Sequence, residues 1–180
     1  MMYTEVAFPK RFAAAARDGF KGVEFLFPYE WPAADIAEWK QAAGLEQALF
    51  NAPPGDWENN ERGLAAVPGR EGEFRDAMGT ALEYATVIDC PRIHIRAGLR
   101  PEGVKDGALY DTYEKNLAYA ASEAAKAGRN VLIEPINTRD LPGYFLYRQA
   151  DAHRVVKTVG KPNLLVQMDL YDVELVECLV

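Results

Sequence analysis

Strand-like and helix-like segments alternate along the 180-residue chain, and this alternation constrains the fold more than any single motif. Residues from about Phe8 to Asp18 form a helical run that stops at Gly19, and Val23 to Phe27 follow as a short strand. Pro32 suits the first turn of a second helix, which runs through Ile36 and Trp39 to Gly44, ahead of a strand over Gln47 to Asn51. Phe74, Met78, Ala81, Leu82, Ala85 and Ile88 recur at helical spacing, and Arg92 to Arg96 read as a strand. A helix from about Leu109 to Lys126 carries Tyr113, Leu117 and Ala121 on one stripe, and Val131 to Glu134 form the next strand. A helix over about Gln149 to Val159 leads to a last strand over Leu164 to Asp169.

Such an alternation implies a parallel sheet, because each helical crossover returns the chain to the same end of the sheet. An open doubly wound sheet and part of a (β/α)₈ barrel both satisfy it. The strand faces favour the barrel. His94 and Arg96 share one face, as do Gln167 and Asp169, while Ile93 and Ile95, and Val166 and Met168, take the other. An apolar face toward helices and a polar face toward a common axis describe a barrel wall with a polar mouth. No GxGxxG or P-loop supports a nucleotide-binding sheet. A complete barrel needs about 250 residues. The expectation is therefore an α/β fold, a partial TIM (β/α)₈ barrel with about five of eight parallel strands, in a single incomplete domain over residues 1–180.

The net charge of −7 repels polyanions, so nucleic acid is a poor partner. A DNA-repair endonuclease with the same barrel would need a histidine-rich multi-metal site and a basic face, and the chain has only two histidines. Cys90 and Cys178 cannot form a disulfide framework and read as ordinary thiols. No signal-peptide core and no long apolar stretch occurs, so no membrane association is expected and a cytoplasmic protein is the default.

Glu134 and Asp169 each end a predicted strand, at the edge where parallel barrels place their chemistry. Two carboxylates converging from neighbouring strands can hold a hard divalent cation and move a proton at the carbon beside a carbonyl. An isolated acid at such a position more often caps the following helix or meets a basic side chain. His94 points into the barrel, where it can bind a substrate oxygen or be a satisfied core histidine. Glu24, on the opposite face from Val23 and Phe25, also points inward and either binds a ligand or neutralises Arg96. The irregular segment from Ala52 to Gly69 is a candidate active-site loop, flanked by Arg62 and Arg70, whose guanidinium groups suit a substrate carboxylate.

Several stretches carry a family resemblance. Gly22-Val23-Glu24-Phe25-Leu26-Phe27-Pro28-Tyr29, Leu49-Phe50-Asn51 with Pro54-Gly55-Asp56, Arg62-Gly63-Leu64 with Pro68-Gly69-Arg70-Glu71, Ile93-His94 with Ala97-Gly98, and Leu132-Ile133-Glu134-Pro135-Ile136-Asn137 resemble the hydroxypyruvate isomerases and the closely similar 2-oxo-tetronate isomerases, within the xylose isomerase-like TIM-barrel superfamily. The resemblance runs from Met1 to Tyr171. It implies interconversion of hydroxypyruvate and tartronate semialdehyde, or of a related 2-oxo acid sugar, through an enediolate. It implies Glu134 as one of two catalytic glutamates, Glu134 and Asp169 as the first two ligands of a divalent metal, magnesium or manganese, in a site left incomplete, and His94 at the substrate pocket, where Arg70 and Glu24 join it as substrate-binding candidates on the strength of their own positions. The family would have a histidine where Asp172 stands, and Asp172 to Val180 do not resemble it. The resemblance thus implies a chain truncated at both ends, whose open edges would pair into a homo-oligomer or aggregate. The alternative is a non-catalytic remnant of such an isomerase.

Overall fold

The structure, a computed structural model, describes residues 2–178. Its elements run α1 (Phe8–Arg17), β1 (Gly22–Phe25), α2 (Ala33–Ala42), β2 (Glu46–Asn51), α3 (Glu71–Val87), β3 (Arg92–His94), α4 (Asp106–Lys126), β4 (Asn130–Ile133), α5 (Gln149–Val159), β5 (Leu164–Val166) and α6 (Leu170–Val173), with a π-helical turn over Glu174–Cys178. The five strands form one parallel sheet in the order β1-β2-β3-β4-β5. Each strand pairs with its neighbours in sequence, as successive βα units of a barrel wall do. Among the described residues the sheet is an open arc and does not close on itself.

Strand alternation divides the side chains between two faces. Phe50, Ile93, Ile95, Val131, Ile133 and Leu164 turn outward and are almost fully buried beneath the helices. Against them α3 presents Phe74, Met78, Ala81 and Ala85, and α4 presents Tyr113, Leu117 and Ala121, the stripes predicted from helical spacing. Burial of each large side chain on this face contributes about 1.5–3 kcal/mol. Helix α5 ends where Gly160 adopts a left-handed φ of 66°, a conformation that costs glycine little. No helix among the described residues is long and apolar enough to cross a membrane.

Three strands are shorter than their sequence suggests, the run Val23 to Phe27 becoming β1, which ends at Phe25. The runs Arg92 to Arg96 and Leu164 to Asp169 become β3 and β5, which end at His94 and Val166. Ladder hydrogen bonds continue for one residue, from Ile95 N to Leu132 O (2.8 Å) and from Gln167 N to Ile133 O (2.9 Å). Beyond them Ala97 pairs with Gly63 of the long loop, and Asp169 becomes the N-cap of α6. Gln167, at the last ladder bond, and Arg96, Glu134 and Asp169 beyond the strands stand at the C-terminal rim of the sheet, where side chains are free to converge.

Candidate active site

The strand register stacks the inward-facing residues in layers. Asn51 pairs with His94, His94 with Leu132, and Leu132 with Leu165. Two residues further along each strand, the next layer holds Arg96, Glu134 and Gln167. A cavity of about 630 Å³ lies over this face, lined by Glu24, Asn51, His94, Arg96, Glu134, Gln167 and Asp169, with Phe8, Phe12 and Phe25 forming an apolar wall on the β1 side.

His94 is 2% exposed. Its Nδ1 lies 3.1 Å from Asn51 Oδ1, and its Nε2, buried without a hydrogen-bond partner, faces Glu134 Oε2 at 3.7 Å. Burial lowers its pKa to about 3, with the charge of Arg96 adding to the effect, so the ring is neutral. With Asn51 Oδ1 facing the ring, Nδ1 carries the proton and Nε2 offers a lone pair to the cavity.

Glu134 is largely buried, and its Oε1 accepts a hydrogen bond from Gln167 Nε2 at 2.8 Å. Burial pushes its carboxyl up to about 7, reinforced by the negative charges of Asp172 and Asp169 and opposed by Arg96. Oxygen atoms of Glu134, Asp169 and Asp172 all lie within 4.8 Å of one another. Asp172 is buried, and its Oδ1 accepts from the backbone N (2.8 Å) and side-chain Nδ2 (2.6 Å) of Asn137. Asp169 accepts from Tyr171 N at 2.8 Å, so it performs the capping role open to a strand-end acid while also facing the other two carboxylates.

This donor set fits a hard divalent cation. Three carboxylates crowd one point with no basic side chain bridging them among the described residues, and the unpartnered imidazole nitrogen of His94 faces one of them, Glu134. Burial does most to raise the Glu134 carboxyl, and the negative charges of Asp172 and Asp169 add a smaller push that a cation would relieve.

The loop from Ala52 to Arg70 folds over the rim. Trp57 packs on Phe27 (5.0 Å between ring centroids) and under the guanidinium of Arg62 (4.0 Å). Gly63 and Gly98 meet backbone to backbone, and a methyl group on either would collide with a carbonyl oxygen, that of Arg96 or that of Gly63. Only glycine allows the two loops to approach so closely.

Four of the sequence-nominated residues, Glu134, Asp169, His94 and Glu24, therefore share the cavity. Arg70 does not reach it. Its guanidinium is bound to Glu61 and Glu73 at the start of α3, where it ties the end of the loop to the helix, and these partners leave it poorly placed to grip a substrate. Glu24 is exposed at the arc's edge and makes no ion pair with Arg96 among the described residues, so it does not neutralise that charge. Asn51 and Asp172 went unnominated. Asn51 was legible in principle as the polar end of an inward face shared with Gln47 and Leu49. Asp172 joins the cluster through the turn of α6, for which no periodic signal exists.

A family model described as a xylose isomerase-like TIM barrel matches residues 12–175. The chain belongs to the xylose isomerase-like TIM-barrel family. Within it, the chain is 59% identical to a 2-oxo-tetronate isomerase of Cupriavidus necator, over 98% of this chain and 68% of that protein. It is 39% identical to a hydroxypyruvate isomerase of Escherichia coli, over 98% of this chain and 69% of the other. A crystal structure from Brucella melitensis, described as an AP endonuclease of family 2, superposes with a TM-score of 0.96 at 48% identity, covering 98% of this chain and 68% of that one. A D-psicose 3-epimerase structure, at 19% identity and a TM-score of 0.76 over 96% of this chain and 61% of the other, shares the fold.

Proposed function

We propose that the chain, an isomerase of this family, interconverts hydroxypyruvate and tartronate semialdehyde, or a related 2-oxo sugar acid, through an enediolate. The observation that carries this assignment is the cluster of Glu134, Asp169 and Asp172 beside a neutral His94 at the rim of a cavity large enough for a small sugar acid. Identity to named isomerases over nearly the whole chain supports the same assignment.

Glu134 is the base. Its carboxylate takes a proton from C3 of hydroxypyruvate, the electrons of that C–H bond form the C2=C3 bond, and the C2 oxygen receives the charge. Return of that proton to C2, with transfer of the proton on the C3 oxygen to the C2 oxygen, gives the aldehyde and its neighbouring hydroxyl. His94 Nε2 accepts a hydrogen bond from a substrate hydroxyl, and Gln167 holds Glu134 at the correct angle. Glu134, Asp169 and Asp172 would hold a divalent cation, magnesium or manganese. When bound, such a cation polarises the carbonyl and lowers the cost of enediolate charge. Asp172 stands where the resemblance leads one to expect a histidine, which makes the site more acidic.

Nothing in the site favours nucleic acid. The rim cluster is wholly acidic, and the net charge of −7 opposes a polyanion.

Proton abstraction is tested separately from complete turnover by following hydroxypyruvate in D₂O by proton NMR. Loss of the C3 signal, accelerated by the protein with divalent cation present and reduced about 100-fold or more in Glu134→Gln, is the expected result. No acceleration by the wild-type protein would sink the assignment.

A further inference from the structure

Arg96 is the one strongly basic side chain in the layer that holds Glu134 and Gln167, and the metal and proton chemistry does not use it. It is partly buried on the cavity wall, and its charge acts on both Glu134 and His94. No carboxylate lies within ion-pairing distance of it among the described residues. A partly buried cation without a counter-ion is costly unless something else supplies the negative charge.

Its orientation is fixed on three sides. Nε donates to the backbone oxygen of Arg62 at 3.0 Å, the Trp57 ring lies 5.6 Å from the guanidinium carbon, and the Tyr144 ring lies 5.4 Å away. Tyr144 is itself fully buried and held by a hydrogen bond from Ala97 N to its hydroxyl at 2.9 Å. With Nε committed to the loop and the guanidinium carbon within 5.6 Å of two aromatic rings, neither terminal nitrogen has a hydrogen-bond partner among the described residues. A guanidinium in this state is a rigid fork for a planar anion.

We propose that Arg96 binds the substrate carboxylate and so makes the site selective for 2-oxo acids over neutral hydroxyketones. This rests on the isomerase assignment above and adds the residue that recognises the acid group of its substrate. In a 2-oxo acid the carboxyl carbon is bonded directly to the carbonyl carbon, so an anchor in the same layer as Glu134 sets the reacting C2–C3 unit beside the base. The proposal also gives the long loop a purpose. The loop contributes Trp57 and the Arg62 carbonyl, and both act on the substrate through Arg96.

Two ligands that differ only at this group test it: hydroxypyruvate and 1,3-dihydroxyacetone, in which a hydroxymethyl group replaces the carboxylate. By titration calorimetry the wild-type protein, with magnesium present, is expected to bind hydroxypyruvate about 10- to 100-fold more tightly, the range of charge-assisted hydrogen bonds. Arg96→Gln should bring the two affinities together by weakening hydroxypyruvate alone, and Arg96→Lys, which keeps the charge and loses the fork, should fall between. Wild-type protein that binds both ligands equally overturns the role of Arg96 and leaves the isomerase assignment standing. Wild-type protein that binds neither overturns both. Should Arg96→Gln fail to fold, phenylglyoxal modification of the wild type with peptide mapping decides the matter. Hydroxypyruvate, and not dihydroxyacetone, should protect Arg96 while leaving Arg62 unaffected, and absence of that protection overturns the proposal.

Discussion

Single residues here are governed by whether burial is matched by a partner. The Cys90 thiol is enclosed in the core, where burial pushes its pKa up to about 11. The unfolded thiol ionises near about 8.5. Because the folded value is the higher one, the stabilisation is complete below the unfolded pKa and is lost as pH rises from there through the folded value. Denaturant midpoints for wild type and Cys90→Ala should therefore converge between about pH 8.5 and 11, by up to about 1.4 kcal/mol per pH unit. A constant gap across that range would show that the thiol is not shielded. At the rim the deficit is of positive charge. Manganese binding followed by electron paramagnetic resonance should weaken about 10-fold or more in Asp169→Asn and in Asp172→Asn, with the helical circular dichroism unchanged. Equal affinity in Asp172→Asn would remove that residue from the cation site.

Elements were easier to read than rims. The order of helices and strands, the sheet-facing apolar stripes of α3 and α4, and the inward face of His94 and Arg96 all follow from periodicity, because burial against a neighbouring layer imposes it. Glu134 and Asp169 were legible as strand-end acids for the same reason. Arg70 was misleading because its partners Glu61 and Glu73 are a matter of loop conformation, which no periodic pattern records. Asp172 escaped notice because a short helix outside the repeating pattern carries it back to the rim. The contact between Gly63 and Gly98 belongs to this scale too, since it couples the β2–α3 loop to the segment after β3. Gly63→Ala should lower the unfolding midpoint by about 2 kcal/mol or more, from positive-φ strain and the collision with Arg96 O. It should also shift tryptophan emission, because Trp57 rides on the same loop. Wild-type emission in a destabilised variant would mean that the loop does not depend on this contact.

In the molecule as a whole, β1 and β5 each have a single neighbour among the described residues, so backbone donors and acceptors line both edges. Apolar side chains flank them. Phe20 is 44% exposed beside β1, and Met168 and Leu170 are 59% and 71% exposed just after β5. Sedimentation velocity over a wide concentration range should reveal reversible self-association of the 180-residue chain, and a concentration-independent monomer would show that the edges are protected. The strictly sequential strand order carries a further consequence for biosynthesis. Each ladder joins segments that leave the ribosome one after the other, so no strand waits for a distant partner. By the time Gly98 has emerged, Trp57, Arg62, His94 and Arg96 are already outside the ribosome, whereas Glu134, Asp169 and Asp172 are still to follow. The side of the cavity that carries His94 and Arg96 can begin to form against Asn51 and the loop before the three carboxylates arrive, so the order of synthesis becomes the order of assembly.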